Sequence, residues 1–260
     1  MGILNITPDS FSDGGRYLDA GAAIAHGTQL VAEGADVIDV GGESTRPGAA
    51  PVGETVEADR VVPVVAELAR LHPRVLISVD TSKPAVAAAA LTAGASMVND
   101  VSAARDGKML KVVAEHGAAI VLMHMRGEPR TMQADTRYTD VVAEVHAFLA
   151  GRAAAAVAAG IAPDRVLLDP GIGFGKDAAG NARLLAVVAD LAALGHPVVV
   201  GASRKSFISA LTGAANGERL PGSLAAIAGA CALPRVMLRV HDVAATVQFV
   251  TVLAAVRSAA

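Results

Sequence analysis

The chain of 260 residues has no tryptophan, only 3% aromatic residues and a single cysteine, which excludes an internal disulfide framework. It also lacks basic runs, and its net charge is −3, so the sequence predicts neither a nucleic-acid partner nor an anionic membrane partner. No apolar run reaches the roughly 18 residues of a membrane span. No secretory signal precedes the first apolar segment, so we predict a cytoplasmic protein.

What is abundant is alanine and valine, with 53% hydrophobic residues and a mean hydropathy of +0.47. Eight short, continuously apolar segments alternate with alanine-rich stretches of helical character. Continuous apolar runs are typical of parallel strands that are covered on both faces. Eight strand–helix units predict an α/β fold, a single (β/α)8 barrel of the TIM type over residues 1–260, with its active site at the carboxyl ends of the strands.

Polar side chains stand at or near the end of almost every apolar segment, where a barrel has its mouth. These residues are Asn5, Asp39, Asp80, Asn99, Asp100, His124, Asp169, Ser203, Lys205, Arg239 and His241. Polar groups concentrated at one face indicate an enzyme rather than a structural barrel.

Two segments near the amino terminus do not fit regular helices. Residues 7–19 and 41–53 are rich in Gly, Pro, Ser and Asp, and they follow the first and second predicted strands. Both therefore lie over the same face of the barrel, and we interpret them as lids over the mouth. The alternative is that they are ordinary surface loops.

The strand-end residues Asp80, Asn99 and Asp169 match a flat heterocycle that carries an amino group and ring N–H donors. Their alternative role is helix capping. Arg239 and His241 are two residues apart, so on a strand both point to one side and suit a diphosphate; the alternative is surface exposure. No cluster of His and Cys has the spacing of a zinc site.

The segment DPGIGFGK, residues 169–176, lacks the spacing of a phosphate-binding P-loop. Phe174 within it is interpreted as an aromatic wall for a planar ligand. Met123 is interpreted as the floor of the same pocket or, alternatively, as a core residue. At the end of the chain, Asp242 is expected to cap a helix whose buried face holds Val243, Val247, Val250 and Ala254.

Seven segments together resemble the bacterial dihydropteroate synthases, and the resemblance runs through essentially the whole chain in order. They are ILNITPDSFSDGG, DVGGESTRPGA, ISVDTSKP, VLMHMRGEP, LLDPGIGFGK, VGASRKSFI and LRVHD. The resemblance implies condensation of (7,8-dihydropterin-6-yl)methyl diphosphate with 4-aminobenzoate, which yields 7,8-dihydropteroate and diphosphate in folate biosynthesis.

The resemblance also implies a role for each matching residue. The catalytic residues would be Asp80, Lys205, Arg46 and Asp9. The pterin would be bound by Thr45, Asp80, Asn99, Met123, Asp169, Phe174, Gly201 and Lys205. The diphosphate would be bound by Asn5, Arg239 and His241, with Mg²⁺ as cofactor at Asn5. The aminobenzoate would be bound by Phe11, Thr45, Arg46, Pro47 and Ser206.

Further expectations follow from the same resemblance: a homodimer, and inhibition by sulfonamides because Phe11, Thr45 and Pro47 are as in sensitive members. Members usually carry an amino-terminal extension that closes the bottom of the barrel, whereas this sequence opens on the first strand. The resemblance therefore gives no prediction of how the bottom of the barrel is closed. Two alternatives are a methyltetrahydrofolate–corrinoid methyltransferase and a non-catalytic pterin-binding paralogue. The diphosphate residues and the TPDSFSDGG segment disfavour the first, and the retained Arg46 and Lys205 disfavour the second.

Overall fold

The computed structural model describes residues 1–6, 20–45 and 48–259, and in this part of the chain eight strands alternate with helices. The strands are β1 (Gly2–Asn5), β2 (Val37–Gly41), β3 (Leu76–Asp80), β4 (Met97–Asp100), β5 (Ala119–Met123), β6 (Val166–Asp169), β7 (Val198–Val200) and β8 (Val236–Leu238). The α-helices are α1 (Ala20–Ala32), α2 (Glu54–Leu71), α3 (Pro84–Thr92), α4 (Gly107–Glu115), α5 (Val141–Ala158), α6 (Ala178–Ala186), α7 (Val188–Ala192), α8 (Ser206–Thr212), α9 (Leu220–Ile227) and α10 (Val243–Ser258). Short 3-10 helices cover Pro163–Arg165, Asn216–Glu218 and Ala230–Ala232.

The strands form one parallel sheet in sequence order from β1 to β8. The sheet closes on itself because Gly2 of β1 makes a parallel bridge with Val240, two residues after β8. Two backbone hydrogen bonds of 3.0 Å support this bridge, from Ile3 N to Val240 O and from Val240 N to Met1 O. The predicted (β/α)8 barrel is therefore confirmed.

The period of two along a strand explains why the polar residues gather at the mouth. An apolar layer of side chains packs together near the amino ends of the strands. It consists of Met1, Val37, Met97, Val121, Leu167, Val199 and the partly buried Met237. Residues two positions further along point to the same side, which is the barrel interior. They are Ile3, Asp39, Asn99, Met123, Asp169, Gly201 and Arg239, so the next layer is mostly polar.

The prediction that no apolar stretch is long enough to cross a membrane is wrong for helix α5. Within the described residues it is the one helix that meets this criterion, with 18 residues and a mean hydropathy of 1.5. Its buried residues include Val145, Leu149 and Ala153, and the helix packs against β5 and β6. Arg152 of the same helix donates to the backbone of Ala103 and Ala104. These contacts are those of an outer barrel helix.

The predicted buried face of helix α10 is wrong in part. Val243 and Thr246 are buried, whereas Val247 is 42% exposed and Ala254 is also exposed. The helix is apolar almost all round, so its sequence does not identify the side that meets the barrel. Asp242 precedes the helix as expected, but its carboxylate pairs with Arg204 instead of capping the helix.

Candidate active site

Arg239, the first residue after β8, reaches across the mouth and joins two carboxylates. Its Nε lies 2.6 Å from Oδ2 of Asp39, and its Nη2 lies 2.7 Å from Oδ2 of Asp80. The side-chain amide of Asn99 donates to the same Oδ2 of Asp39 at 2.9 Å. Side chains from β2, β3, β4 and the end of β8 thus form one hydrogen-bonded network.

Burial governs the electrostatics of this network. Burial raises the pKa of Asp80 above the usual aspartate value, and the neighbouring Arg239 works in the opposite direction. Burial also disfavours the charge on Arg239, but Asp39 and Asp80 outweigh it and hold the guanidinium pKa above its ordinary value. Within the described residues, Oδ1 of the fully buried Asp39 has no hydrogen-bond partner. The network therefore has one fixed cation between two carboxylates.

A second group of predicted residues lies at the ends of β6 and β7. Oδ1 of Asp169 accepts a 2.7 Å hydrogen bond from the backbone N–H of Gly171. Gly201 keeps the space between neighbours open, since a Cβ there would lie 3.7 Å from Oδ2 of Asp169 and 4.0 Å from Cβ of Arg239. Burial raises the pKa of Asp169, which Lys205 partly opposes.

Lys205 and Phe174 are in direct contact. The ammonium of Lys205 lies 3.8 Å from the centroid of the Phe174 ring, which is the geometry of a cation–π contact. Burial, followed by the charge of Arg239, lowers the pKa of Lys205 to about 7. A planar ligand on Phe174 would therefore replace or share the position of the ammonium.

One wall of the mouth is apolar and rich in methionine. Met123, at the end of β5, belongs to a cluster of buried residues with Phe174. The other members are Val101, Met125 and Met132. Methionine adapts its shape to a neighbouring surface and makes favourable contacts with rings, so this wall suits the face of an aromatic heterocycle.

His241 is at the mouth but outside the Arg239 network. Its Nδ1 lies 3.1 Å from Oγ of Ser203, and the same hydroxyl accepts from the backbone N–H of His241 at 3.2 Å. Burial, followed by Arg239 and Arg204, lowers the pKa of His241 to about 4. The ring is therefore neutral at physiological pH, so it can offer a hydrogen bond but no positive charge.

Asn5, predicted to bind Mg²⁺, is the last residue of β1 and lies near Asp80, the last residue of β3. A Cβ built on Gly41 would lie 3.5 Å from Oδ1 of Asn5 and 3.8 Å from Oδ2 of Asp80. No three His, Cys, Asp or Glu side chains form a metal cluster in the described ranges. Mg²⁺ usually keeps several waters and binds few protein oxygens together with substrate phosphates, so one amide oxygen fits that mode.

The remaining predicted residues are at the rim or outside the described ranges. Ser206 is the first residue of α8 and is exposed, and Thr45 is half-buried. Asp9, Phe11, Arg46 and Pro47 lie outside the described residues, as does all of segment 7–19. The lid role of residues 7–19 and 41–53 stays a prediction.

Lys176 is a site residue that the sequence interpretation missed. Its buried Nζ donates to the carbonyl oxygens of His124 at 3.2 Å, Gly171 at 2.9 Å and Phe174 at 2.9 Å. Burial lowers the Lys176 pKa to about 7. It fixes the turn that carries Phe174 and joins it to the end of β5 at His124, whose ring packs against Tyr138 and Phe148. The sequence shows only a lysine at the end of a glycine-rich segment and gives no sign of its backbone partners.

Asp39 is the other residue that was undervalued, since the sequence interpretation placed it among the polar strand-end residues but gave it no binding role. It accepts hydrogen bonds from both Arg239 and Asn99. Since Val37 lies in the interior layer, the period of two along the strand turns Asp39 to the barrel interior as well.

Comparison with known proteins identifies the family. A family model described as pterin binding enzyme matches residues 1–241. The chain belongs to this family. Within it, the chain is 46% identical to the dihydropteroate synthase of Escherichia coli over 259 residues, a match that covers all of this chain and 92% of the relative. The function of this chain is that of a dihydropteroate synthase, a transferase.

Solved structures of dihydropteroate synthases have the same fold. The Xanthomonas albilineans enzyme with 4-aminobenzoic acid has a TM-score of 0.92 and 50% identity, covering 99% of this chain and 92% of that one. The Yersinia pestis enzyme in a sulfonamide drug complex has a TM-score of 0.92 and 44% identity, covering 99% and 94%. A Xanthomonas albilineans complex with 7,8-dihydropteroate has a TM-score of 0.88 and 47% identity, covering 99% and 93%.

Proposed function

We propose that the mouth described above binds (7,8-dihydropterin-6-yl)methyl diphosphate and 4-aminobenzoate and catalyses their condensation. Its residues form three groups, which bind the pterin, the diphosphate and the aminobenzoate. The observation that supports this most directly is the pair of contacts from Arg239 to Asp39 and Asp80. It puts a fixed cation beside two carboxylates and the amide of Asn99. One such site can accept the donors of a pterin and the negative charge of a diphosphate.

The first group holds the pterin. Asp80, Asn99 and Asp169 supply acceptors and an amide for the amino group and ring nitrogens of the heterocycle. Lys205 donates to it, while Met123 and Phe174 pack against its ring. Thr45 and Gly201 complete this group at the rim and at the end of β7, where the missing side chain leaves room.

The second group holds the diphosphate. Arg239 supplies charge, and Asn5 and the neutral His241 supply hydrogen bonds. Asn5 would also be the protein ligand of Mg²⁺, which would neutralise charge on the leaving diphosphate when bound. Arg239 stays charged throughout, because the flanking carboxylates hold its pKa high.

The third group receives 4-aminobenzoate, with Thr45 and Ser206 among the described residues and Phe11, Arg46 and Pro47 from the two loops. The bond between the pterin methylene and the diphosphate oxygen breaks first, and the electron pair leaves with the diphosphate. The carboxylate of Asp80 stabilises the resulting cation. The arylamine nitrogen then bonds to the methylene and releases its proton to solvent, so no strong base is needed. Asp9 and Arg46 would assist departure and alignment.

Three further properties belong to the proposal. Sulfonamides, which mimic the aminobenzoate, would occupy the third group. The chain would act as a cytoplasmic homodimer, and neither nucleic acid nor membrane would be a partner. The acidic balance of the sequence supports the last statement, since it offers no basic surface for either.

The decisive experiment measures diphosphate release from the pterin diphosphate, with and without 4-aminobenzoate, together with 7,8-dihydropteroate by mass spectrometry. We expect release that accelerates when the amine is present, with product in equal amount. Absence of release under both conditions would overturn the proposal. Lys205→Ala should weaken pterin binding, and Arg46→Ala should mainly slow condensation. Equal and negligible effects of both would discredit these two assignments.

A further inference from the structure

Lys83, in the turn between β3 and α3, binds two carboxylates that the proposed mechanism does not use. Its Nζ lies 2.5 Å from Oε2 of Glu43, in the connection after β2, and 2.5 Å from Oε2 of Glu57 in helix α2. Three consecutive parts of the barrel therefore meet at one ammonium group.

The environment of this ammonium makes the contact strong. Glu57 is fully buried, and a buried carboxylate is costly unless a cation compensates it. Lys83 itself is only 19% exposed. Burial alone would lower the Lys83 pKa, but the hydrogen bonds to Glu43 and Glu57 outweigh it and raise the pKa. Solvent screens such a pair much less than it screens a surface ion pair.

Glu43 uses its second oxygen to fix the other end of the β2–α2 connection. Its Oε1 accepts a 2.8 Å hydrogen bond from the backbone N–H of Val52. Arg60 of α2 donates from Nη1 to the carbonyl oxygen of Gly42 at 2.8 Å. The two ends of the connection, at Gly42–Glu43 and at Val52, are thus held together. We call the contact between Glu43 and Lys83 the anchor, and Thr45 lies two residues after Glu43.

The other side of Lys83 is joined to the pterin group. Lys83 is three residues after Asp80, and its backbone N–H donates to Oγ1 of Thr81 at 3.2 Å. Thr81 N in turn donates to the carbonyl oxygen of Asn99 at 3.1 Å. A displacement of Glu43 relative to the strand ends that carry Asp80 and Asn99 would therefore have to break the Lys83 contacts.

We propose that Lys83 is a positioning residue, which fixes the base of the β2–α2 connection relative to the pterin-binding strand ends. This inference rests on the proposed function, in which Thr45 is one of the two described residues of the aminobenzoate group, whereas the pterin group has seven residues besides Thr45. Loss of the anchor would change the placement of Thr45 while the Arg239 network, built on other side chains, stays in place. The affinity for 4-aminobenzoate should therefore fall much more than the affinity for the pterin diphosphate.

Two variants separate this role from general destabilisation. Glu43→Ala removes the anchor and keeps the buried Lys83–Glu57 pair, so the fold should be retained. Lys83→Met combined with Glu57→Gln removes the anchor without leaving a buried charge unpaired. Lys111→Met is the matched control, because it breaks an exposed Lys–Glu pair within α4 whose N–O distance is 3.7 Å.

The measurements are KM for each substrate, kcat, and hydrogen exchange of the Val52 amide. Both test variants should raise KM for 4-aminobenzoate by roughly tenfold or more. This expectation lies below the roughly 100-fold loss of activity that a misplacement of about 1 Å can cause. KM for the pterin diphosphate should change less than about twofold, because the Arg239 network stays in place and no pterin residue other than Thr45 is displaced on the scale that such a loss requires. Val52 exchange should accelerate in Glu43→Ala and stay as in the parent in Lys111→Met.

Equal changes in both KM values, or no change in either, would overturn the inference while leaving the synthase activity intact. A parent protein that forms no 7,8-dihydropteroate would instead overturn the proposed function and this inference together. Val52 exchange that is unaltered in Glu43→Ala would show that Glu43 does not fix the connection, whatever the kinetics.

Discussion

Nη2 of Arg239 lies 2.7 Å from Oδ2 of Asp80, although 159 residues of sequence separate the two. Arg239 follows the last strand and Asp80 ends the third, so only the closed barrel brings them together. With Nε on Asp39 and Nη2 on Asp80, Nη1 is the guanidinium nitrogen that has no carboxylate partner among the described residues and could bind a ligand. The cation that is proposed to bind the diphosphate is therefore oriented before the substrate arrives.

The first prediction concerns the geometry of this guanidinium. Arg239→Lys keeps the charge but cannot contact Asp39 and Asp80 in parallel, so we expect diphosphate release to slow by roughly 100-fold, the order found for losing one preorganised donor. Initial rates of diphosphate release at saturating 4-aminobenzoate measure this. Arg235→Lys is the control, since Arg235 donates to Gly195 O at the opposite end of β8. Similar rates for the two variants would contradict the role of Arg239.

How much of this site was predictable follows from its geometry. Asp80, Asn99 and Asp169 end their strands, so their positions at the mouth could be inferred from single segments. Asp39 lies inside an apolar run, and a shift of one residue in the strand phase would turn it outwards. Its inward direction became certain only when Val37, two residues earlier, was seen in the interior layer.

Lys83 and Lys176 were not predictable in the same way. The partners of Lys83 come from an irregular connection and from α2, and those of Lys176 are backbone carbonyl oxygens of two turns. Backbone acceptors leave no trace in a sequence, and the contacts of irregular segments depend on how neighbouring units pack. The face of α10 failed for a related reason, because an apolar surface all round has no periodicity to read.

The second prediction is a pH dependence of stability that arises from Lys176. Its pKa is about 7 in the folded protein and higher in the unfolded chain, so the unfolded chain binds more protons between these values. Stability contributed by this group therefore rises with pH between about 7 and the ordinary lysine pKa of 10.5, by at most about 1.4 kcal/mol per pH unit, and does not change further below about 7.

Urea unfolding of Lys176→Met at pH 7 and pH 9, compared with the parent, measures this contribution. The variant should be less stable at both values because three carbonyl oxygens lose their donor. Its gain in stability from pH 7 to pH 9 should be smaller than that of the parent. Lys108→Met, at an exposed position in α4, provides the control. An equal gain in all three proteins would rule out a lowered pKa at Lys176.

The third prediction is inhibition by sulfonamides, which the sequence indicates through Phe11, Thr45 and Pro47. Sulfamethoxazole should compete with 4-aminobenzoate, so KM for the amine should rise in proportion to inhibitor while kcat at saturating amine stays constant. Steady-state rates at several fixed inhibitor concentrations test this. Unchanged turnover in saturating sulfamethoxazole at low 4-aminobenzoate would refute it.

The fourth prediction compares two glycines that both have positive φ. Gly171, with φ +68°, begins the turn under Phe174, and a Cβ there would lie 1.9 Å from the carbonyl oxygen of His124. Gly195 has φ +88° and nothing within 4 Å of an added Cβ. Alanine at Gly195 should therefore cost only about 1 kcal/mol of the free energy of unfolding, the conformational penalty alone.

Alanine at Gly171 adds a backbone clash to that penalty. The chain must move away from His124, which displaces the N–H that donates to Asp169 and a carbonyl that accepts from Lys176. We expect a loss of more than about 4 kcal/mol, in the range reserved for severe core disruption. Pterin affinity, measured by calorimetry on the fraction that folds, should fall with it. Equal unfolding free energies for Gly171→Ala and Gly195→Ala would mean that this turn does not fix Asp169 and Lys176.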